Sequence, residues 1–112
     1  MYNSSIRKYV AKSISLKDVY YDLIISQKKI STIRYGYVLF DDIVTSLTFN
    51  SKPSINIVIK KIDFSKTFGS IDNMDAENDG YDSLDKLKMD IQKYYPEIKQ
   101  DSPLTIIYFD LL

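Results

Sequence analysis

The residues with the clearest chemical potential lie in one short segment, positions 27–34. Lys29 stands at the end of a predicted helix, and Thr32 and Arg34 follow on one face of a predicted strand. An ammonium, a hydroxyl and a planar guanidinium that converge in one pocket would suit a phosphate, a carboxylate or a polarised carbonyl. The alternative is a solvated helix terminus, at which Lys28 and Lys29 interact with the negative end of the helix.

The composition restricts the chemistry that this segment could support. The 112 residues include no cysteine and no histidine, which excludes disulfides, cysteine nucleophiles and the usual general base at neutral pH. A zinc site would need carboxylates alone, which zinc rarely uses. Catalysis would therefore depend on lysine, arginine, serine, threonine, tyrosine, aspartate or glutamate. The length predicts one domain, residues 1–112.

Charge is distributed unevenly along the chain, although the formal net charge is zero. Residues 1–70 carry 11 Lys/Arg and 5 Asp/Glu, and residues 71–112 carry 4 Lys/Arg and 10 Asp/Glu. If the two segments occupy different faces, the basic face would attract a polyanion such as RNA. If strands and helices from both segments interleave, the asymmetry averages out.

Two helices are predicted from their capping residues and apolar spacing. The first begins after Ser15, with Asp18 completing a capping-box-like pair, and ends near Gln27. The second begins at Asp82 or Ser83 and ends before the proline at position 96. Its predicted apolar stripe consists of Leu84, Leu87, Ile91 and Tyr94.

Strands are predicted over residues 30–35, 43–49, 55–64 and 104–112, with residues 37–42 as a loop or short strand. The Lys60–Lys61 pair breaks the alternation and predicts a bulge. Residues 68–71 are expected to form a short helical turn, and residues 72–82 an acidic loop. Because strands and helices do not alternate regularly, the fold class is α+β, with a curled mixed sheet and two helices packed outside it.

The lysine–threonine–arginine segment resembles the signature of the ASCH domain, a group within the PUA-like superfamily. Residues 76–83 resemble the group's Ala-x-x-acid-Gly-aromatic-x-Ser segment, and the strand at 105–109 resembles its carboxy-terminal strand. The resemblance runs from about residue 14 to residue 112. It implies a PUA-like mixed β-barrel of about five to six strands, with two flanking helices and a cleft across it.

The resemblance also implies candidate functions, since members of the wider group bind or cleave RNA. One branch hydrolyses N4-acetylcytidine and related nucleosides, and its lysine, threonine and glutamate correspond by position to Lys29, Thr32 and Asp79. Glu77 is the alternative acid, and Arg34 would orient or bind the substrate. A lysine whose pKa burial lowers could activate the threonine hydroxyl, and the acid would protonate the leaving amine.

Two positions depart from the pattern of the group. Gln27 stands where glycine is usual at the end of the helix, and glycine is the common left-handed terminator. Asp79 stands in place of a glutamate, and its side chain is one methylene shorter. This difference matters because catalysis is sensitive to displacements of about 1 Å.

The leading hypothesis is a domain that binds RNA, another single-stranded nucleic acid or a modified nucleoside in a basic cleft. Its ligand-binding residues would be Lys28, Arg34, Tyr35 and Tyr81, with the tyrosines as stacking surfaces. The first alternative is the amidohydrolase. The second is a metal-dependent ribonuclease, in which acidic residues of segment 72–82 bind Mg²⁺ or Ca²⁺; no other cofactor is expected. No apolar core of a signal peptide follows positions 1–5, and no apolar run would span a bilayer, so a cytoplasmic protein is expected.

Overall fold

The computed structural model describes residues 7–112. The prediction that no signal peptide is present concerns the start of the chain, and positions 1–5 lie outside the described residues. None of the helices within residues 7–112 has the length and apolar character needed to cross a membrane. The elements in chain order are β1 (Lys8–Ala11), β2 (Ile14–Ser15), a 3₁₀ turn (Asp18–Tyr20), α1 (Tyr21–Ile25), β3 (Ser31–Tyr35), β4 (Tyr37–Phe40), β5 (Val44–Thr48), β6 (Ile55–Thr67), α2 (Asn73–Asn78), α3 (Leu84–Tyr94) and β7 (Pro103–Leu111).

The strands form a five-stranded sheet in the order β2-β5-β6-β7-β3 and a two-stranded sheet of β1 and β4. The β1–β4 and β2–β5 pairs are parallel, and the other pairs are antiparallel. The predicted α+β class with a mixed sheet is therefore confirmed. The final strand lies inside the sheet, between β6 and β3, as its apolar sequence predicts.

Strand β7 separates two hydrophobic cores. Leu104 and Ile106 belong to one core, which α3 covers, whereas Ile107 and Phe109 belong to a second core that includes residues of α1, β5 and β6. This division follows the alternation of side chains along a strand. Because both faces of the sheet are buried, each face must be covered by helices or by other strands. This requirement accounts for the flanking helices.

Strand β6 has 13 residues and two irregularities that bend the sheet. Its pairing with β7 shifts register between Ile59 and Lys61, where the bulge was predicted, and again between Asp63 and Lys66. Bulges bend a strand and increase its twist. The strand also continues to Thr67, three residues beyond the predicted end.

The predicted cap of the first helix is wrong. Ser15 is the last residue of β2, which pairs with β5, and its hydroxyl lies 3.3 Å from the Thr48 hydroxyl. The Asp18 carboxylate instead accepts hydrogen bonds from the backbone of Asn50 and Ser51. Pairing with a distant strand thus overrides the local capping signal, and Asp18 holds the β5–β6 loop beside the 3₁₀ turn.

The predicted acidic loop is also wrong, because most of it forms α2. Asp72 and Asp75 make a reciprocal capping box: Asp75 N donates to Asp72 Oδ1, and Asp72 N donates to Asp75 Oδ2. The helix has only six residues, so its periodicity is too short to be detected, and a third flanking helix results. Residues 68–70 form a hydrogen-bonded turn, in which Ile71 N donates to Thr67 O at 3.2 Å, the bond of a single helical turn.

The second predicted helix is confirmed as α3. The Ser83 hydroxyl accepts a hydrogen bond from the backbone of Lys86 at 3.2 Å, and the helix ends at Tyr94, two residues before the proline. Leu87 and Ile91 of the predicted stripe are buried, but Tyr94 is 49 % exposed.

Helix α1 ends at a left-handed residue, Gln27, whose φ is 61°. Gln27 N donates to Ile24 O, and Lys28 N donates to Leu23 O. These two bonds define a Schellman motif, in which the left-handed position is usually glycine. Glutamine therefore adopts the conformation that the glycine of the ASCH signature would supply.

We expect Gln27→Gly to raise the free energy of unfolding by up to about 1 kcal/mol. Glycine avoids the steric cost of about 1–2 kcal/mol that a side chain incurs in the left-handed conformation. Glycine also loses more conformational entropy on folding, which offsets about 0.5–1 kcal/mol of that gain. Urea unfolding measures the change. Gln27→Ala is the matched control, since it keeps a Cβ atom and should give no gain; a gain of equal size would contradict the explanation.

Candidate functional site

A cavity of about 420 Å³ lies between strand β3 and helix α3, and we call it the β3–α3 cavity. Strand β3 is an edge strand of the five-stranded sheet, so its side chains can reach this space. The buried polar residues of the cavity define what we call its inner end: Lys29, Thr32 and Asp79. Its mouth is formed by the exposed residues Lys17, Asn50 and Tyr94.

The inner end is built where the carboxyl ends of α1 and α2 meet. Helix α2 also ends in a Schellman motif: Gly80 N donates to Glu77 O, and Tyr81 N donates to Ala76 O. The backbone of Ile30 joins the two ends by donating to Asn78 O at 2.8 Å. Lys29 and Asp79, which are 50 positions apart in sequence, are thereby brought into contact.

The Lys29 ammonium has all three hydrogens engaged. Nζ donates to Ser31 O at 2.8 Å, to Asp79 O at 3.1 Å and to Asp79 Oδ1. The Tyr20 ring covers the ammonium, with its centroid 5.1 Å from Nζ. While these bonds persist, Lys29 has no hydrogen left with which to contact a ligand.

Burial shifts both members of this pair toward their neutral forms. Loss of solvation lowers the pKa of Lys29, although the attraction of Asp79 opposes this change. Loss of solvation also raises the pKa of Asp79, although Lys29 opposes it. The free-energy difference between the ion pair and the neutral pair of amine and carboxyl group is therefore smaller in this site than in water.

Two polar groups at the inner end have no partner within the described residues. The Thr32 hydroxyl makes no side-chain hydrogen bond there, and Asp79 Oδ2 accepts none, since the ammonium contacts Oδ1. Neither atom is sealed from solvent, since Ser31 Oγ is the one fully buried side-chain polar atom without a partner in the described part of the chain. A ligand in the β3–α3 cavity could satisfy both.

A chain of hydrogen bonds follows the wall from Tyr20 to Asp90. The hydroxyl groups of Tyr20 and Tyr81 are 2.8 Å apart, and the Tyr81 hydroxyl donates to Asp90 Oδ2 at 2.7 Å. Burial is the main cause that raises the pKa of both tyrosines above the ordinary value. Both phenols therefore keep their hydrogens at neutral pH.

Five of the residues predicted from the sequence line the β3–α3 cavity together: Lys29, Thr32, Arg34, Asp79 and Tyr81. Arg34 Nη2 donates to Ser15 O at 2.8 Å, and its other N–H groups have no hydrogen-bond partner among residues 7–112. Of the two candidate acids, Asp79 lies in the cavity, and Glu77 is exposed on α2 outside it.

Lys28 and Tyr35 also lie outside the β3–α3 cavity. Lys28 is exposed at the end of α1. The Tyr35 ring packs edge-on against the Tyr95 ring at 5.1 Å, and the Arg7 guanidinium lies over both rings. Tyr35 therefore supports the wall residue Tyr95 from outside the cavity.

The lining residues that sequence reasoning did not identify include Lys17, Tyr20, Asp90 and Tyr94. A signal for Asp90 was present, because it falls in the apolar stripe of α3 beside Leu87, Ile91 and Tyr94. A carboxylate within such a stripe needs a partner, and here the Tyr81 hydroxyl supplies it.

The cavity carries charges of both signs. Lys17, Lys29 and Arg34 come from the basic first segment, and Asp79 and Asp90 come from the acidic second segment. The two segments therefore interleave at this site, as the alternative interpretation of the charge distribution describes.

The acidic residues of segment 72–82 point to different partners. Asp72 caps α2, Asp75 Oδ2 lies 3.0 Å from Lys66 Nζ, and Asp79 pairs with Lys29. Within residues 7–112, no group of three or more acidic side chains is arranged to hold a metal ion.

Gly80 positions Asp79, and we expect Gly80→Ala to lower the free energy of unfolding by about 1–2 kcal/mol or more. Gly80 has a φ of 88°, and an added Cβ would lie 3.2 Å from Lys29 Cβ and 3.3 Å from Leu23 Cδ1. Urea unfolding tests this expectation. A change below about 0.5 kcal/mol, the range of ordinary surface substitutions, would contradict it.

Comparisons with known proteins identify the fold. The crystal structure of an ASCH domain from Lactobacillus crispatus superimposes with a TM-score of 0.71 and 18% sequence identity, covering 88% of this chain and 79% of that one. The hypothetical protein PH0355 gives a TM-score of 0.65 and 17% identity, covering 95% of this chain and 100% of that one. Protein EF3133 from Enterococcus faecalis gives 0.60 and 14%, covering 81% and 68%.

No protein-family model matches the sequence, and no curated protein matches it either. The three structures therefore carry the comparison, and at these identities they establish the fold alone. The similarity extends over 81–95% of this chain, which includes most of the five-stranded sheet and its flanking helices. The chain has an α+β fold similar to that of the Lactobacillus crispatus ASCH domain.

Proposed function

We propose that the β3–α3 cavity binds a nucleotide, either one unstacked nucleotide of single-stranded RNA or a free nucleoside or its phosphate. The observation that carries the proposal is the combination of free polar groups inside with aromatic rings and cations at the mouth. A volume of about 420 Å³ is within the range of small-molecule sites and is suitable for one base and its ribose.

The inner end supplies polar contacts that a base edge could use. The Thr32 hydroxyl can donate or accept, and Asp79 Oδ2 can accept. Both belong to residues that are at most 5 % exposed, so a ligand would meet them away from water. Such contacts discriminate well, because an unmatched group there stays unpaired.

The mouth supplies a stacking surface and positive charge. Tyr94 is 49 % exposed, and Lys17 Nζ lies 4.5 Å from its ring centroid. Arg34 retains N–H donors beyond its bond to Ser15. A base stacked on the ring would place its sugar and phosphate near these two cations.

Fluorescence anisotropy with a labelled single-stranded RNA of mixed sequence, at low salt, tests this function. We expect Arg34→Ala and Lys17→Ala each to weaken binding by about tenfold, because each removes a charged contact to phosphate. Lys93→Ala is the matched control, since Lys93 is exposed on α3 outside the cavity. Equal affinity in all four proteins would overturn the assignment of the two cations, and absence of binding both to this RNA and to free nucleotides would overturn the proposal.

A second candidate function, amide hydrolysis of an N-acylated nucleoside, is favoured by the juxtaposition of Lys29, Thr32 and Asp79. Burial shifts the pKa of Lys29 downward and that of Asp79 upward, toward an amine and a carboxyl group. These neutral forms are the base and the acid that acyl transfer from an amide requires.

The reaction can be written on these three side chains. The Lys29 amine takes the hydroxyl proton as Thr32 Oγ1 bonds to the acyl carbon, and the Asp79 carboxyl group protonates the nitrogen as the C–N bond breaks. The product is an acyl ester of Thr32. Water cleaves this ester, releasing the carboxylic acid and restoring the hydroxyl, and a proton returns from Lys29 to Asp79.

Cytidine release from N4-acetylcytidine tests this candidate. Thr32→Ala should abolish release, whereas Thr32→Ser keeps a hydroxyl group and should retain part of it. Wild-type protein that binds N4-acetylcytidine without releasing cytidine would exclude hydrolysis of this substrate and leave the binding function.

A further inference from the structure

The hydrogen-bond chain on the cavity wall has a fixed direction. A carboxylate only accepts, so the single phenolic hydrogen of Tyr81 is committed to Asp90. The hydrogen between the two phenols must then come from Tyr20. Tyr20 Oη consequently has no hydrogen left to donate toward the cavity and can only accept there.

The Lys29–Asp79 pair, like Tyr20, presents only a hydrogen-bond acceptor to the cavity. All three ammonium hydrogens are engaged by Ser31 O, Asp79 O and Asp79 Oδ1, so only Asp79 Oδ2 remains to meet a ligand. The inner part of the β3–α3 cavity therefore offers two acceptors, Asp79 Oδ2 and Tyr20 Oη. The Thr32 hydroxyl can adapt to either role.

The outer part of the cavity is positively charged, because Lys17 at the mouth and Arg34 on the wall are cations that can only donate. A complementary ligand would carry N–H groups at its inner end and an anionic group at its outer end. A nucleotide whose base has an exocyclic amino group meets both requirements.

We propose that the β3–α3 cavity selects nucleobases with an exocyclic amino group, with Asp79 Oδ2 and Tyr20 Oη as the selecting acceptors. The inference rests on the proposed nucleotide-binding function and specifies its ligand class. Cytosine and uracil give the sharpest contrast, because they share a shape while uracil has a carbonyl in place of the amino group. That carbonyl would face two acceptors, neither of which has a hydrogen to donate to it.

Tyr81 and Asp90 are positioning residues in this arrangement, since they set the direction in which the Tyr20 hydrogen points. Tyr81→Phe removes the acceptor of that hydrogen, so the Tyr20 hydroxyl becomes free to donate into the cavity. The preference for an amino group should then decrease, although the aromatic ring stays. A purely structural role of Tyr81 would weaken both ligands equally and leave their ratio unchanged.

The test compares labelled oligocytidine and oligouridine of equal length by fluorescence anisotropy, using the wild type, Tyr81→Phe and Tyr35→Phe. We expect the wild type to bind oligocytidine about tenfold or more tightly, since an unpaired buried polar group costs that much affinity. Tyr81→Phe should reduce the ratio severalfold. Tyr35→Phe, a matched substitution outside the cavity, should leave it unchanged.

Adenosine and inosine 5′-monophosphates give a second pair that differs at the amino group, and calorimetric titration should favour the adenosine form. Equal binding within both pairs, or preference for uridine and inosine, would overturn the selectivity and leave nucleotide binding intact. A preference for cytidine that Tyr81→Phe does not alter would overturn the assignment to Tyr20. Absence of binding to every nucleotide would overturn the proposed function together with this inference.

Discussion

Replacing Lys29 with alanine is expected to lower the free energy of unfolding by about 3–5 kcal/mol, because the substitution leaves a buried carboxylate without its partner. Lys29 and Asp79 are 2 % and 5 % exposed, and the ammonium also satisfies two backbone carbonyl groups. Urea unfolding followed by circular dichroism measures the loss. The effect is large beside the total stability of a small domain, about 5–15 kcal/mol.

The double substitution Lys29→Met with Asp79→Leu is the control for this prediction. It removes both charges and fills the same space with apolar groups, which is often neutral or stabilising at buried ion pairs. We therefore expect the double variant to be more stable than Lys29→Ala. If Lys29→Ala lowers the free energy of unfolding by less than about 1 kcal/mol, the pair is solvated like a surface salt bridge and the prediction is wrong.

The second large effect is expected on RNA affinity. Tyr94→Ala should weaken single-stranded RNA binding by about 1–3 kcal/mol, or about 5- to 150-fold, because it removes the exposed ring at the mouth of the β3–α3 cavity. Unfolding stability should change much less, since Tyr94 is 49 % exposed. Anisotropy titration and urea unfolding on the same preparations separate the two quantities.

Tyr94→Phe is the matched control, because it keeps the ring and loses only the hydroxyl. It should bind RNA nearly as well as the wild type if stacking carries the contact. If both variants lose affinity equally, the hydroxyl and not the ring face is the contact. If neither loses affinity, the RNA does not use this mouth.

Local sequence patterns were sufficient to predict the site residues that lie on strand β3. Alternation along residues 30–35 placed Thr32 and Arg34 on one face of β3, and both line the cavity. Asp79 entered through the spacing of the ASCH-like segment. These predictions depend on neighbours within a few positions, which is the range over which alternation and capping signals act.

The missed features depend on contacts between distant parts of the chain. Strand β2 has two residues and exists because Ile14 pairs with Leu47. Tyr20 reaches the cavity because the 3₁₀ turn packs beside Tyr81, 61 positions later. Tyr94 has the correct spacing for the apolar stripe of α3, yet it lies beyond the core and beside an open mouth. Periodicity identifies the apolar face of a helix, but it does not show how far along the helix the core covers that face.

The separation of 50 positions between Lys29 and Asp79 also has a kinetic consequence. Closing so long a loop costs chain entropy, which must be overcome before the contact can form. We expect the pair to form late, after the folding transition state, so that Lys29→Ala accelerates unfolding and leaves the refolding rate nearly unchanged. The buried pair would then set the lifetime of each folded molecule, and hence how long an assembled cavity lasts between openings.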